Sequence, residues 1–172
     1  MNVPKLGVKK TIEMKQAELR KEVFGPISQA HTWSRKTAKG FTTIPRTMPL
    51  LGAIMDGLSG KGKPVSTTYL ELWCRSNDEG FVTLSKQVET AYASGFSGER
   101  AVSTWKERVR KLEELQFLMT KPGVSGSLHY VQLWNPYLIV KFHKAQSTPG
   151  FRPELYNVLF ERVQDIGARD LD

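Results

Sequence analysis

The sequence predicts a mostly α chain with one small antiparallel β-hairpin and helical extensions on both sides of it. Three observations carry this. Over residues 99–116, Val102, Trp105, Val109, Leu112 and Leu115 recur at three- and four-residue spacing, which makes one buried helical face. Residues 117–121 and 128–134 read as strands joined by the small, polar stretch Pro122-Gly123-Val124-Ser125-Gly126-Ser127. A shorter helical segment and a Gly-containing turn, Ser94-Gly95-Phe96-Ser97, stand just before that long helix.

Taken in order, residues 1–8 read as a loose end. Residues 11–24 form a helix with Ile12, Leu19 and Val23 on one side, stopped by Gly25-Pro26. Its apolar face is thin, so it needs a partner surface. Residues 27–43 are irregular and include the basic stretch Ser34-Arg35-Lys36-Thr37-Ala38-Lys39-Gly40. Residues 47–58 form a second helix, with Thr47 as cap, Pro49 in the first turn, and Leu50, Leu51, Ile54, Met55 and Leu58 apolar. After a loop over 59–64, Ser66 or Thr67 caps a helix to about Arg75, with Tyr69, Leu70, Leu72 and Trp73 as core candidates. Asn77-Asp78-Glu79-Gly80 is a turn, and Phe81-Val82-Thr83-Leu84 a strand that should pair with the hairpin.

In the next helix a small residue, Ala91, permits close helix approach. Gly95 supplies the left-handed residue that ends it. Ser97, or a position one or two later, caps the long helix. The outward face of that helix then carries Arg100, Ser103, Lys106, Glu107 and Arg110, with Thr104 at its edge. The strongest first apolar residue is Val102, although the usual spacing from the turn glycine would fall on Ala101. Asn135-Pro136 reads as a cap and first helical residue of a helix through Lys144. A last helix, residues 153–166, has Leu155, Val158, Leu159, Val163 and Ile166 on a stripe, ended by Gly167.

Ala91-x-x-x-Gly95-Phe96-Ser97 resembles the core of a helix-turn-helix. Trp105 to Leu118, with Lys111-Leu112-Glu113-Glu114-Leu115-Gln116-Phe117-Leu118, resembles the recognition helix and first wing strand of a winged helix-turn-helix protein. The likeness covers about a third of the chain. It implies a DNA-binding module over residues 44–135, preceded by a basic segment, 1–43, and followed by a helical extension, 136–172. It further implies that the long helix enters the major groove of duplex DNA. Arg100, Lys106 and Arg110 would then reach base edges or phosphates, and Ser103 and Thr104 would make smaller contacts. Lys86 would bind phosphate with help from its helix dipole. Lys121, Ser125 and His129 are the wing candidates. Arg35, Lys36 and Lys39 belong either to an arm that tracks phosphates or to a solvated linker. The preferred role is a transcriptional regulator of bacterial type. The layout also resembles plasmid or phage replication initiators, a winged module used for protein–protein assembly is the third reading, and RNA binding is a further option.

The charge suits a polyanion partner, most simply nucleic acid, or else serves solubility. The chain has 25 Lys and Arg against 17 Asp and Glu, and residues 1–40 alone hold nine against three. Residues 41–135 hold eleven against nine, and residues 136–172 five against five. The acids Glu99, Glu107, Glu113 and Glu114 dilute the basic face. The terminal stripe invites a homodimer through the last helix, or folding back onto the 47–58 helix.

Other chemistries find little support. Gly57-Leu58-Ser59-Gly60-Lys61-Gly62-Lys63 matches seven positions of a phosphate-binding loop, but Pro64 replaces the required Ser or Thr and a helix precedes it. His31, His129 and His143 are scattered, and one cysteine, Cys74, gives neither zinc spacing nor a disulfide. Cys74 is expected to be a small buried hydrophobe. Trp73 and Trp105 are expected in the core, and Trp33 stacks on a base or packs. No cofactor, metal or catalytic constellation is expected. With no apolar run of membrane-spanning length and no secretory h-region, the chain is expected to be cytoplasmic and not to enter a membrane.

Overall fold

The computed structural model describes residues 6–172, with side chains from residue 12 on. Among these residues there are seven α-helices and one three-stranded antiparallel sheet. The chain divides into two compact units, residues 1–41 and 42–172. Residues 136–172 are therefore not a separate extension, because their helices share the core of the second unit.

The first unit holds α1 (Leu6–Phe24) and a single 3-10 turn (Gln29–His31). The helix starts five residues before the expected Thr11. The part of the expected loose end that falls on residues 1–5 lies outside the described residues. Ile12, Leu19 and Val23 are exposed. The basic stretch is a turn: Ser34 accepts Thr37 N–H and Ala38 N–H on its carbonyl and Lys36 N–H on its hydroxyl. Trp33 packs edge-on against Phe41, with ring centroids 6.0 Å apart.

In the second unit, α2 (Met48–Ser59) packs against α3 (Ser66–Arg75), α6 (Pro136–Ala145) and α7 (Pro153–Asp165). Expected caps gave way to longer-range ones. The Thr47 hydroxyl bonds the Tyr137 hydroxyl instead of capping α2. The start of α3 is capped by Asp56 of α2, whose carboxylate accepts Val65 N–H, Ser66 N–H and the Ser66 hydroxyl. The Asn135 cap of α6 is as expected, accepting Tyr137 N–H at 3.0 Å.

Gly57 lies inside α2, and a Cβ there would come within 2.8 Å of Gly150 O. Gly150 has φ +85°, and its own Cβ would lie 2.4 Å from Gly57 O. The two glycines let the loop before α7 cross α2 backbone to backbone. That packing accounts for the first glycine of the phosphate-loop-like string, and Ser59 is spent on the carbonyls of Asp56 and Lys63.

The terminal stripe is shifted from expectation. Tyr156, Leu159 and Val163 are buried, whereas Val158 is exposed. Since α7 packs on α2, the stripe is covered within the chain, and the reason for a homodimer through it disappears.

The sheet runs β1–β3–β2, with β1 Phe81–Thr83, β2 Leu118–Gly123 and β3 Gly126–Leu133. Val82 pairs with Val131, and Leu118 with Leu133, on the core side. Trp105 is fully buried as expected. Trp73 is only half-buried, and its indole N–H donates to Thr43 O at 3.0 Å. Cys74 is exposed, contrary to expectation.

Candidate nucleic-acid interface

Helix α4 (Gln87–Ala93), a turn and helix α5 (Ala101–Glu114) form the centre of the candidate site. The end of α4 follows from Gly95, which has φ +90°. Gly95 N–H bonds Tyr92 O and Phe96 N–H bonds Ala91 O, the paired return bonds that a left-handed residue after a helix permits. Seven residues, 94–100, then separate the helices, more than the three or four of a tight helix-turn-helix. Gly98, at φ +79°, makes the second bend. Ser97 therefore caps nothing: Arg100 occupies the cap position without a side-chain bond.

The register of α5 begins at Ala101, not Val102. Ala101, Trp105, Arg108, Val109 and Leu112 are buried, and Val102 is half-buried. The outward face nevertheless holds the expected set. Arg100, Ser103, Glu107 and Arg110 are exposed, with Thr104 and Lys106 partly so. The Ser103 hydroxyl donates to Arg100 O, so only its lone pairs remain free. Among the described residues Arg100, Lys106 and Arg110 form no ion pair.

Three of the four diluting acids are otherwise engaged. Glu113 accepts both the N–H and the hydroxyl of Thr120, tying α5 to β2. Glu114 pairs with Lys111 at 2.9 Å. Glu107 stands on the outward face itself, 3.8 Å from the Arg108 guanidinium, and only Glu99 is left without a partner among the described residues.

The hairpin is tighter than its sequence suggests. Strand pairing reaches Gly123 and Gly126, leaving only Val124 and Ser125 between them. The register slips between Lys121 and Gly123, where Pro122 has no N–H to contribute. His129 is buried, 6% exposed, and is not an outward contact. Its Nδ1 accepts Ser125 N–H at 3.2 Å, and its ring fills the space a Gly123 Cβ would need, 2.3 Å from Cδ2. The Gln87 amide donates to Ser125 O at 3.1 Å, so the tip is fastened to the start of α4. Lys121 is exposed, directly across from Tyr130.

Lys86 is exposed at the cap position of α4, 3.7 Å from Glu89. That carboxylate also takes Arg75 at 3.2 Å. A seven-residue helix and a neighbouring acid leave Lys86 a weaker anion site than expected. Arg35, Lys36 and Lys39 are exposed in the first unit.

The sequence reading missed three residues. Arg108 is buried on the inner side of α5, its guanidinium 6.0 Å from the centroid of the Phe96 ring, with Nε unbonded among the described residues. Starting the stripe at Ala101 would have placed it inward. Gln87 and His143 gave no local signal. His143 bonds Leu115 O at 2.8 Å and the Thr148 hydroxyl at 3.0 Å, fixing α6 to the end of α5. A carbonyl only accepts, so the hydrogen sits on Nε2. Burial, then Glu71, push the Cys74 thiol above its ordinary range, which suppresses the thiolate.

Among the described residues no helix is long and apolar enough to cross a membrane. No family model, no curated protein and no solved structure matches the chain.

Proposed function

We propose that the protein binds duplex DNA as a winged helix-turn-helix module, with α5 in the major groove and the β2–β3 hairpin as the wing. The observation that carries this is the division of α5. One side is committed to the core through Trp105, Val109 and Leu112. The other presents Arg100, Lys106 and Arg110, with no ion-pair partner among the described residues. An outward row of cations that form no ion pair, with Glu107 as the acid among them, suits base edges and phosphates. The net charge of +8 favours encounter with a polyanion.

The test is a gel shift on a duplex selected from a random pool. Lys106→Ala/Arg110→Ala should keep the wild-type melting temperature, because neither side chain is in the core. Removing a bidentate bond to a base costs roughly 1–3 kcal/mol and relaxes specificity at one position, whereas removing a bond to phosphate weakens all sequences alike. Unchanged affinity in the double variant takes α5 out of the interface. We assign the protein a role in regulating transcription, and a genome-wide binding map tests that assignment. Sites clustered before reading frames support it, and occupancy confined to one origin-like site replaces it with replication initiation.

A further inference from the structure

An antiparallel sheet that covers a core on one side ordinarily shows polar residues on the other. Here the pairing register fixes what the outer side carries. Phe81 lies opposite Gln132, and Gln132 opposite Met119. Thr83 lies opposite Tyr130, and Tyr130 opposite Lys121. The outer side is thus two rows of three residues, with Val82, Val131 and Leu118 on the core side. Three of the six are large and apolar: Phe81 is 41% exposed, Met119 39% and Tyr130 38%. The Phe81 and Tyr130 rings are nearly parallel, 22° between planes, with centroids 5.9 Å apart.

The charge on this face has one sign. None of the six residues is acidic, and Lys121 closes the second row beside Tyr130. Lys86 follows β1 by three residues at the same end of the sheet but is paired with Glu89, so Lys121 is the cation without an ion pair there among the described residues. Asp78 and Glu79 precede Phe81 at the opposite end, so an anionic chain is accepted from the hairpin side only. The patch is also small. With strands about 4.8 Å apart and rows about 7 Å apart, it covers on the order of 200 Å², against about 800 Å² per partner in a stable protein interface.

We propose that this face is a stacking platform for unpaired bases of single-stranded DNA. One base lies on Tyr130 with its phosphate at Lys121, and a neighbouring base lies on Phe81. Only an unpaired base offers a free ring face, since duplex bases already stack on their neighbours. The inference takes the class of partner from the proposed function. It concerns the outer face of the sheet rather than α5 and shares Lys121 with the wing, so the α5 variant and the aromatic variant tell the two readings apart.

The experiment titrates the full chain into fluorescein-labelled oligothymidylate and follows anisotropy at low salt. Phe81→Leu/Tyr130→Leu keeps apolar side chains in both strands. It should weaken this binding about tenfold or more, the loss expected for one or two stacked bases. It should leave affinity for the selected duplex unchanged. Lys121→Gln should lower the log–log salt slope by about 0.7, one phosphate of a single strand. Lys106→Ala/Arg110→Ala should keep oligothymidylate binding while losing duplex binding. A wild-type protein that does not bind oligothymidylate, or a double variant that binds it equally well, overturns the platform. So does a wild-type dimer that the double variant converts to monomer, because the face then joins two copies. If circular dichroism shows the double variant unfolded, 5-iodouracil crosslinking of the wild type decides. Adducts on Phe81 or Tyr130 support the proposal, and adducts confined to other residues overturn it.

Discussion

Replacing Asp56 by alanine should destabilise the second unit by about 3 kcal/mol. The carboxylate accepts Val65 N–H at 2.6 Å, Ser66 N–H at 2.8 Å and the Ser66 hydroxyl at 2.7 Å. The two amides are among those that the first turn of α3 leaves without a helical partner. Loss of a helix cap costs roughly 0.5–2 kcal/mol, and a hydrogen bond to a charged group contributes roughly 1.5–3. Val65 is fully buried, so little water can reach its freed N–H. These terms overlap, which sets the estimate near 3 kcal/mol rather than at their sum, or about 10 °C in melting temperature. Asp56→Asn keeps the oxygen that serves both amides and loses the charge, so it should cost about half as much. Urea unfolding at neutral pH and fixed ionic strength measures both, and an unchanged m-value confirms that only stability moved. A loss below about 0.5 kcal/mol for the alanine variant would refute the cap. Equal losses for asparagine and alanine would show that charge alone, not the bond geometry, holds α2 to α3.

Two further predictions use the same reasoning. Leu159→Asp places a carboxylate at a fully buried position in the core around α2 and should cost more than about 4 kcal/mol without altering sedimentation, whereas a folded monomer derived from a wild-type dimer would restore the dimer reading. Deleting residues 1–40 removes nine basic and three acidic residues and should leave a folded second unit whose duplex binding is weaker and less salt-dependent, by about 0.9 in log–log slope for each phosphate no longer bound; an identical slope would make the segment a solvated extension.

What was legible in the sequence was local. The Gly95 helix end, the Asn135-Pro136 start, the buried stripe of α5 and the pairing of residues 81–83 with the hairpin all follow from periodicity, caps and turn residues a few positions apart. Each is present. What was not legible depends on partners far along the chain. Asp56 caps a helix ten residues on, Thr47 bonds Tyr137, and His143 reaches back to Leu115. The Ala101 register was visible as an alternative and gave way to Val102 on hydrophobicity alone. Burial is decided by the helix face, and Ala101 shares the buried face with Trp105 one turn later.

The hairpin shows how the fold narrows what residue type alone suggests. Ser125 and His129 are both plausible anion contacts by chemistry, yet they bond each other. The Ser125 N–H is used by His129 and its carbonyl by Gln87, so its backbone has nothing left for a phosphate. If the tip meets DNA through Ser125, the contact must come from the hydroxyl. Val124, 98% exposed at the apex, offers only apolar contact from its side chain, which suits a sugar edge better than a phosphate. The cationic contact available from the hairpin is then Lys121, one strand position before the slip at Pro122. Gln87 and His129 act instead by holding the tip in place beside α4. If the hairpin serves as a wing, one that is already ordered loses less conformational entropy on binding, and that is where the contribution of these two residues to affinity would lie.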